Sequence, residues 1–222
     1  MKRLLSSFSL LCLSTALAHA DLVVVQKMDS AMMKGDVTMK LKGDKARIES
    51  TGGPIATTVI LDLKSGSMTT LVPAQKMMMK TNMNDLKKMG EAQMKAQGVD
   101  LTTLKPKDTG TKEKVGEWDC EIYEMTMGPT MSVKMWLAKD YPNAKSIAEQ
   151  MKKLSSAMSA NPAMAEINLD GVALKTEMSM PGGMKMTTSV TSIKEDSVAD
   201  SEFDLPADYK EIQMPVPGAG AK

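Results

Sequence analysis

Val37-Thr38-Met39-Lys40-Leu41-Lys42, then Gly43-Asp44, then Lys45-Ala46-Arg47-Ile48-Glu49-Ser50 reads as one β-hairpin. Val37, Met39 and Leu41 alternate with Thr38, Lys40 and Lys42, the period of two that sends one row of side chains to a buried sheet face. Gly43-Asp44 makes a tight turn. The return strand then sets Ala46 and Ile48 on one side and Arg47 and Glu49 on the other.

The same grammar extends in both directions. Residues Leu22 to Met79 read as short strands, with a second hairpin from Thr57 to Leu63 and Ser67 to Val72 around Ser65-Gly66, and Lys76 to Lys80 ends this meander. Asn82 or Asn84 can cap a helix running to about Gln97, with Leu86, Met89, Gln93 and Met94 as its apolar stripe and Gly98 as its stop. Residues Gly98 to Gly110 read as a connection. Strands resume at Thr111–Val115, Trp118–Met127 and Met131–Ala138. Tyr141-Pro142-Asn143 opens a second helix, in which Ile147, Met151, Leu154 and Met158 fall on one face. Gly171–Met180 and Met184–Ile193 form a last hairpin around Pro181-Gly182-Gly183. The expected fold is α+β: one curved antiparallel β-sheet of about ten strands wrapped around two or three helices.

The first twenty residues run basic, apolar and small, ending Ala18-His19-Ala20, which is the order of a secretory signal peptide cleaved before Asp21. Residues 21–214 read as a single domain and 215–222 as a disordered Pro/Gly/Ala-rich tail. The expected location is the periplasm or the exterior, with no membrane-spanning segment after signal removal. Cleavage also removes His19, the only histidine, and Cys12, leaving Cys120 as the only cysteine. A Ser-His-Asp triad, a Cys-His dyad, a Cys/His zinc site and an internal disulfide are thereby excluded from the mature chain. No carboxylate spacing or phosphate loop points to catalysis, so no enzyme activity and no cofactor is expected. With 28 basic against 27 acidic residues, interspersed, no nucleic-acid footprint is present.

Methionine takes 24 of 222 positions, against two Trp, three Tyr and two Phe. A loop of three residues at Pro181–Gly183 sets Met180 opposite Met184 and Met178 opposite Met186, with Leu174 opposite Val190 on the same face; a two-residue loop would break this register. At Gly128–Thr130 the same argument pairs Met127 with Met131, Met125 with Val133 and Tyr123 with Met135. Such soft faces suit plain core filling, a cavity for an apolar ligand, or thioether binding of cuprous copper or silver. Arg47 is the only arginine beyond Arg3. Its donor fork either meets a cross-strand carboxylate or holds a neighbouring segment. Cys120 reads as a small buried apolar residue.

Three stretches carry a resemblance. Gly43 to Glu49 with Ile60 to Gly66, Val115 to Tyr123 leading into Met135 to Pro142, and Phe203 to Lys210 resemble, in their order, exported bacterial proteins of domain of unknown function 4412. That family is similar to the periplasmic lipoprotein carriers LolA and LolB, and the resemblance implies a LolA-like half-barrel that takes up acyl chains. Arg47 falls where those carriers show an arginine, with Ala46 and Ile48 beside it in place of their usual aromatics. The expected function is a binding module that holds an apolar ligand, a lipid or a lipoprotein acyl chain, with Met178, Met180, Met184, Met186 and Arg47 as ligand-binding candidates. The alternatives are a soft-metal or oxidant-scavenging envelope protein and a structural envelope protein with a filled core.

Overall fold

The computed structural model describes residues 21–31, 33–96, 105–127, 131–159 and 169–212. The expected signal peptide and disordered tail lie outside the described residues, as does the loop at Gly128–Thr130. Twelve strands form a single sheet, two more than expected. The N-terminal meander is β1 (Leu22–Ser30), β2 (Lys34–Lys42), β3 (Lys45–Ser50), β4 (Thr57–Asp62), β5 (Ser67–Val72) and β6 (Met77–Asn82), followed by helix α1 (Met83–Ala96). The second half contains β7 (Lys107–Val115), β8 (Trp118–Met127), β9 (Met131–Ala138), helix α2 (Ala144–Met158), β10 (Val172–Ser179), β11 (Lys185–Lys194) and the short β12 (Lys210–Ile212).

Their order is β12-β6-β5-β4-β3-β2-β1-β11-β10-β9-β8-β7, so β1 and β11 form a central seam that joins the two meanders. The edges β12 and β7 do not meet, and the sheet stays open. Every neighbour is antiparallel except β12 on β6. That three-residue parallel strand is too short to show a period, which is why the count of about ten misses it. β7 also begins four residues earlier than its apolar pattern suggests, because Lys107 to Lys114 is charged and exposed. Charge and an irregularity between Asp108 and Lys112 suit a free edge. Further register shifts at Val25/Gln26 and Ala173/Lys175 bend the sheet into a curve. Gly35 and Gly52 touch backbone to backbone, so closely that a Cβ on either would overlap the other.

Period-two reading decides the faces. Leu41 pairs with Ala46 and Met39 with Ile48, as expected, and Val24, Met39, Leu41, Ala46 and Leu61 are buried in one cluster with Ile147 and Leu154 of α2. Among the described residues the buried core is chiefly branched aliphatic. Met39, Met83 and Met125 are its methionines. On the opposite face, the segment from Val198 to Ile212 crosses β2 and β3 as a strap: Lys42 Nζ donates to the Val198 carbonyl (2.7 Å), and Lys40 pairs with Glu202 (2.9 Å). Phe203, in a 3-10 turn at Asp200–Phe203, is buried there, with the Lys45 ammonium 5.8 Å from its ring centre.

The helices start where expected. Asn82 Oδ1 accepts the Asn84 N–H (2.8 Å) at the head of α1. Met83 is buried, but Met89 of the expected apolar stripe is 51% exposed. At α2, Asn143 adopts the left-handed region (φ 54) that Asn tolerates, and its side chain bonds Glu195 instead of capping the helix.

Candidate functional site

Helix α2 is held over the sheet at both ends. Asn143 bonds Glu195 beyond the end of β11, Lys153 pairs with Asp44 and donates to the Gly43 carbonyl (3.0 Å), and Lys87 of α1 donates to the Ser156 carbonyl (3.0 Å). Ile147 and Leu154, seven residues apart, drop into the core. Met151 between them also packs against that core. A half-open cleft of about 660 Å³ remains between α2 and the sheet, within the size range of small-molecule sites.

Its floor is Val24 of β1, Met135 and Leu137 of β9, and Val190 and Ile193 of β11; its roof is Ala144, Ile147, Ala148 and Met151. Gln26 and Thr176 add neutral polar atoms to the floor. Lys139, Lys145, Glu149, Lys152 and Asp170 also border it. Lys139 is engaged by Glu121 (2.5 Å), which raises the lysine's pKa and holds the Glu121 carboxyl below the usual range, the hydrogen bond between them being the main cause in both. Among the described residues no three His, Cys, Asp or Glu side chains gather in a metal-binding arrangement.

The expected register of the last hairpin is present: Met178 pairs with Met186, and Met180 N–H donates to the Met184 carbonyl (2.8 Å) across Pro181–Gly183. Met127 opposite Met131, Met125 opposite Val133 and Tyr123 opposite Met135 are present as well. Yet the cleft wall is drawn from other residues. Thr176 lines the cleft, so Met178, two residues on, stands on the same sheet face one pleat further from α2. Met178, Met180 and Met186 are half-buried and Met184 is 42% exposed, at the end of the sheet away from α2. Met135 and Met151 are the methionines of the wall itself.

Arg47 lies on the face opposite the cleft. Its Nε and Nη2 donate to Glu49 Oε1 (2.9 and 2.7 Å), and its Nη1 donates to the Glu202 carbonyl (2.9 Å). The fork thus clamps the strap to β3, the second of the two roles its chemistry allowed. The expected cross-strand carboxylate is not its partner: Lys40 and Ile60 stand opposite Arg47, and the carboxylate it meets is Glu49 of its own strand. Cys120 is fully buried, and burial pushes its thiol up.

Residues 23–209 match the family described as Domain of unknown function (DUF4412). The chain belongs to this family. Among solved structures, an uncharacterized conserved protein from Thermus thermophilus is similar over 89% of this chain and 92% of its own, at 8% identity and a TM-score of 0.53, a likeness of fold alone. MucB in complex with the periplasmic part of MucA, from Pseudomonas aeruginosa, aligns over 89% of this chain and 58% of its own at 10% identity and a TM-score of 0.42. A LolA superfamily protein from Nitrosomonas europaea aligns over 85% of this chain and 91% of its own at 9% identity and a TM-score of 0.34. No functionally curated protein matches the chain in sequence. Among the described residues no helix is long and apolar enough to cross a membrane.

Proposed function

We propose that this DUF4412 protein is an exported, periplasmic, non-enzymatic binding module that holds an apolar chain, of a lipid or of a lipoprotein partner, in the cleft beneath α2. The observation that carries the reading is the cleft itself: about 660 Å³ between two well-anchored elements, floored by Val24, Leu137, Val190 and Ile193. A largely apolar cleft of this size lies in the range of small-molecule sites, and its wall suits a hydrocarbon chain. The half-buried Met178 and Met186, on the same sheet face, would lengthen the wall for a longer chain, and thioethers adapt to chains of varied shape. The secretory order of residues 1–20 and the resemblance to the LolA-like half-barrel support the location and the class of ligand.

Native mass spectrometry of protein purified without detergent is expected to show co-purifying lipid, and a fluorescent fatty-acid probe to be retained. Ala148→Trp, which places a large ring in the roof of the cleft, should abolish retention while leaving the thermal midpoint within a few degrees. Absence of both bound lipid and probe retention in the unaltered protein would end this reading.

A further inference from the structure

We infer that the cleft selects a single-chain amphiphile with a carboxylate headgroup, received at the mouth by Lys145 and Lys152. This rests on the binding reading above and names the ligand class for the same site. On α2, Lys145, Ala148, Lys152 and Ser155 follow one another at spacings of three and four and all border the cleft, so they form one stripe along its mouth. Ala148, the small residue between the two lysines, leaves the entrance open.

The lysines around this site divide into two kinds. Lys139 is taken by Glu121, and Lys153 by Asp44 and the Gly43 carbonyl. Lys145 and Lys152 are exposed and make no ion pair among the described residues. They are therefore free to meet a charge brought from outside, over a floor that suits a hydrocarbon chain. Glu149 and Asp170 also border the cleft and keep its mouth from being uniformly positive. That balance favours one monoanionic group held between two ammoniums over a polyanionic headgroup, which would face both carboxylates. Each lysine acts as a compact point charge on a flexible stem, which suits a carboxylate without demanding bidentate geometry.

The test uses the mature chain with cis-parinaric acid and the corresponding uncharged alcohol, titrated by fluorescence. The acid is expected to bind about 3- to 10-fold tighter than the alcohol, the scale that two exposed charge interactions supply, with the preference shrinking at about 0.5 M salt. K145Q/K152Q should erase the preference and leave the alcohol's affinity unchanged, since Gln keeps the helix propensity of Lys. K145E/K152E should reverse it. Equal affinity of the unaltered protein for acid and alcohol, or a preference that survives in both double variants, overturns this inference and leaves the binding reading standing. Failure of both probes to bind overturns the two together.

Discussion

Helix α2 and the C-terminal strap cover the same sheet from opposite sides, and they do so with different physics. The strap presses Phe203 into the β2–β3 face and is fastened by charge: Arg47 to the Glu202 carbonyl, Lys40 to the Glu202 carboxylate, Lys42 to the Val198 carbonyl. α2 is anchored by Ile147 and Leu154, with Met151 between them also packed against the core, and by tethers at its ends, and a cleft opens between it and the sheet. One cover is a seal and the other a bridge. The curve of the sheet comes from its register shifts, and the strap covers the face opposite the cleft.

Substitutions at four positions can break or sharpen that contrast. Phe203→Ala removes the buried aromatic ring of the strap and should cost about 3–5 kcal/mol of stability in a denaturant titration. A loss below about 1 kcal/mol would mean the strap is not a seal. Arg47→Ala strips the clamp and orphans the Glu202 carbonyl, for an expected cost of about 1–3 kcal/mol, and Arg47→Lys should recover only part of it because a point charge cannot serve Glu49 and the carbonyl together.

The third test is pH. Hydrogen bonding to Lys40, followed by the charges of Lys40 and Arg47, holds the Glu202 carboxyl below its usual range. A depressed folded-state pKa adds stability that is fully present above the unfolded value of about 4.3 and is lost as pH falls through the folded value. Glu202→Gln should therefore flatten the decline of the thermal midpoint below about pH 4.3, while probe uptake in the cleft at neutral pH stays unchanged. The smallest effect is expected at the bridge: Lys153→Ala breaks an exposed pair with Asp44, worth about 0–1 kcal/mol. Hydrogen exchange in α2 should rise more than global stability falls, and a large global loss would show that α2 is a seal too.

Much of this architecture is legible in the chain, and the legible parts are those set by local rules. Alternation at 37–50 fixed which side of β2 and β3 is buried, and loop length at Pro181–Gly183 fixed the Met178–Met186 register. Ile147 and Leu154 followed from helical spacing. What stayed hidden depends on distant parts of the chain meeting. β12 has three residues, and its partner β6 lies more than a hundred residues earlier. Glu202 reaches Arg47 across a similar interval. The cleft is harder still, because Val24, Leu137, Val190 and Ile193 look in sequence like any core residues, and only the placement of α2 over the sheet makes them the wall of a cleft. The methionines drew attention by number, yet the wall uses two of them, since composition says nothing about where a helix comes to rest.

The seam between β1 and β11 also sets a clock. Val23 pairs with Lys194, so the first strand made must wait for nearly the last before its outer edge is satisfied. Closing contacts of such high sequence separation is slow, on the millisecond-to-second scale of non-local β-topologies. Throughout that interval the row of unpaired N–H and C=O groups on β1 is a template for any passing strand. Variants that slow the docking of β11 onto β1 should thus reveal themselves first in yield and aggregation during refolding, before any change in the stability of the finished protein.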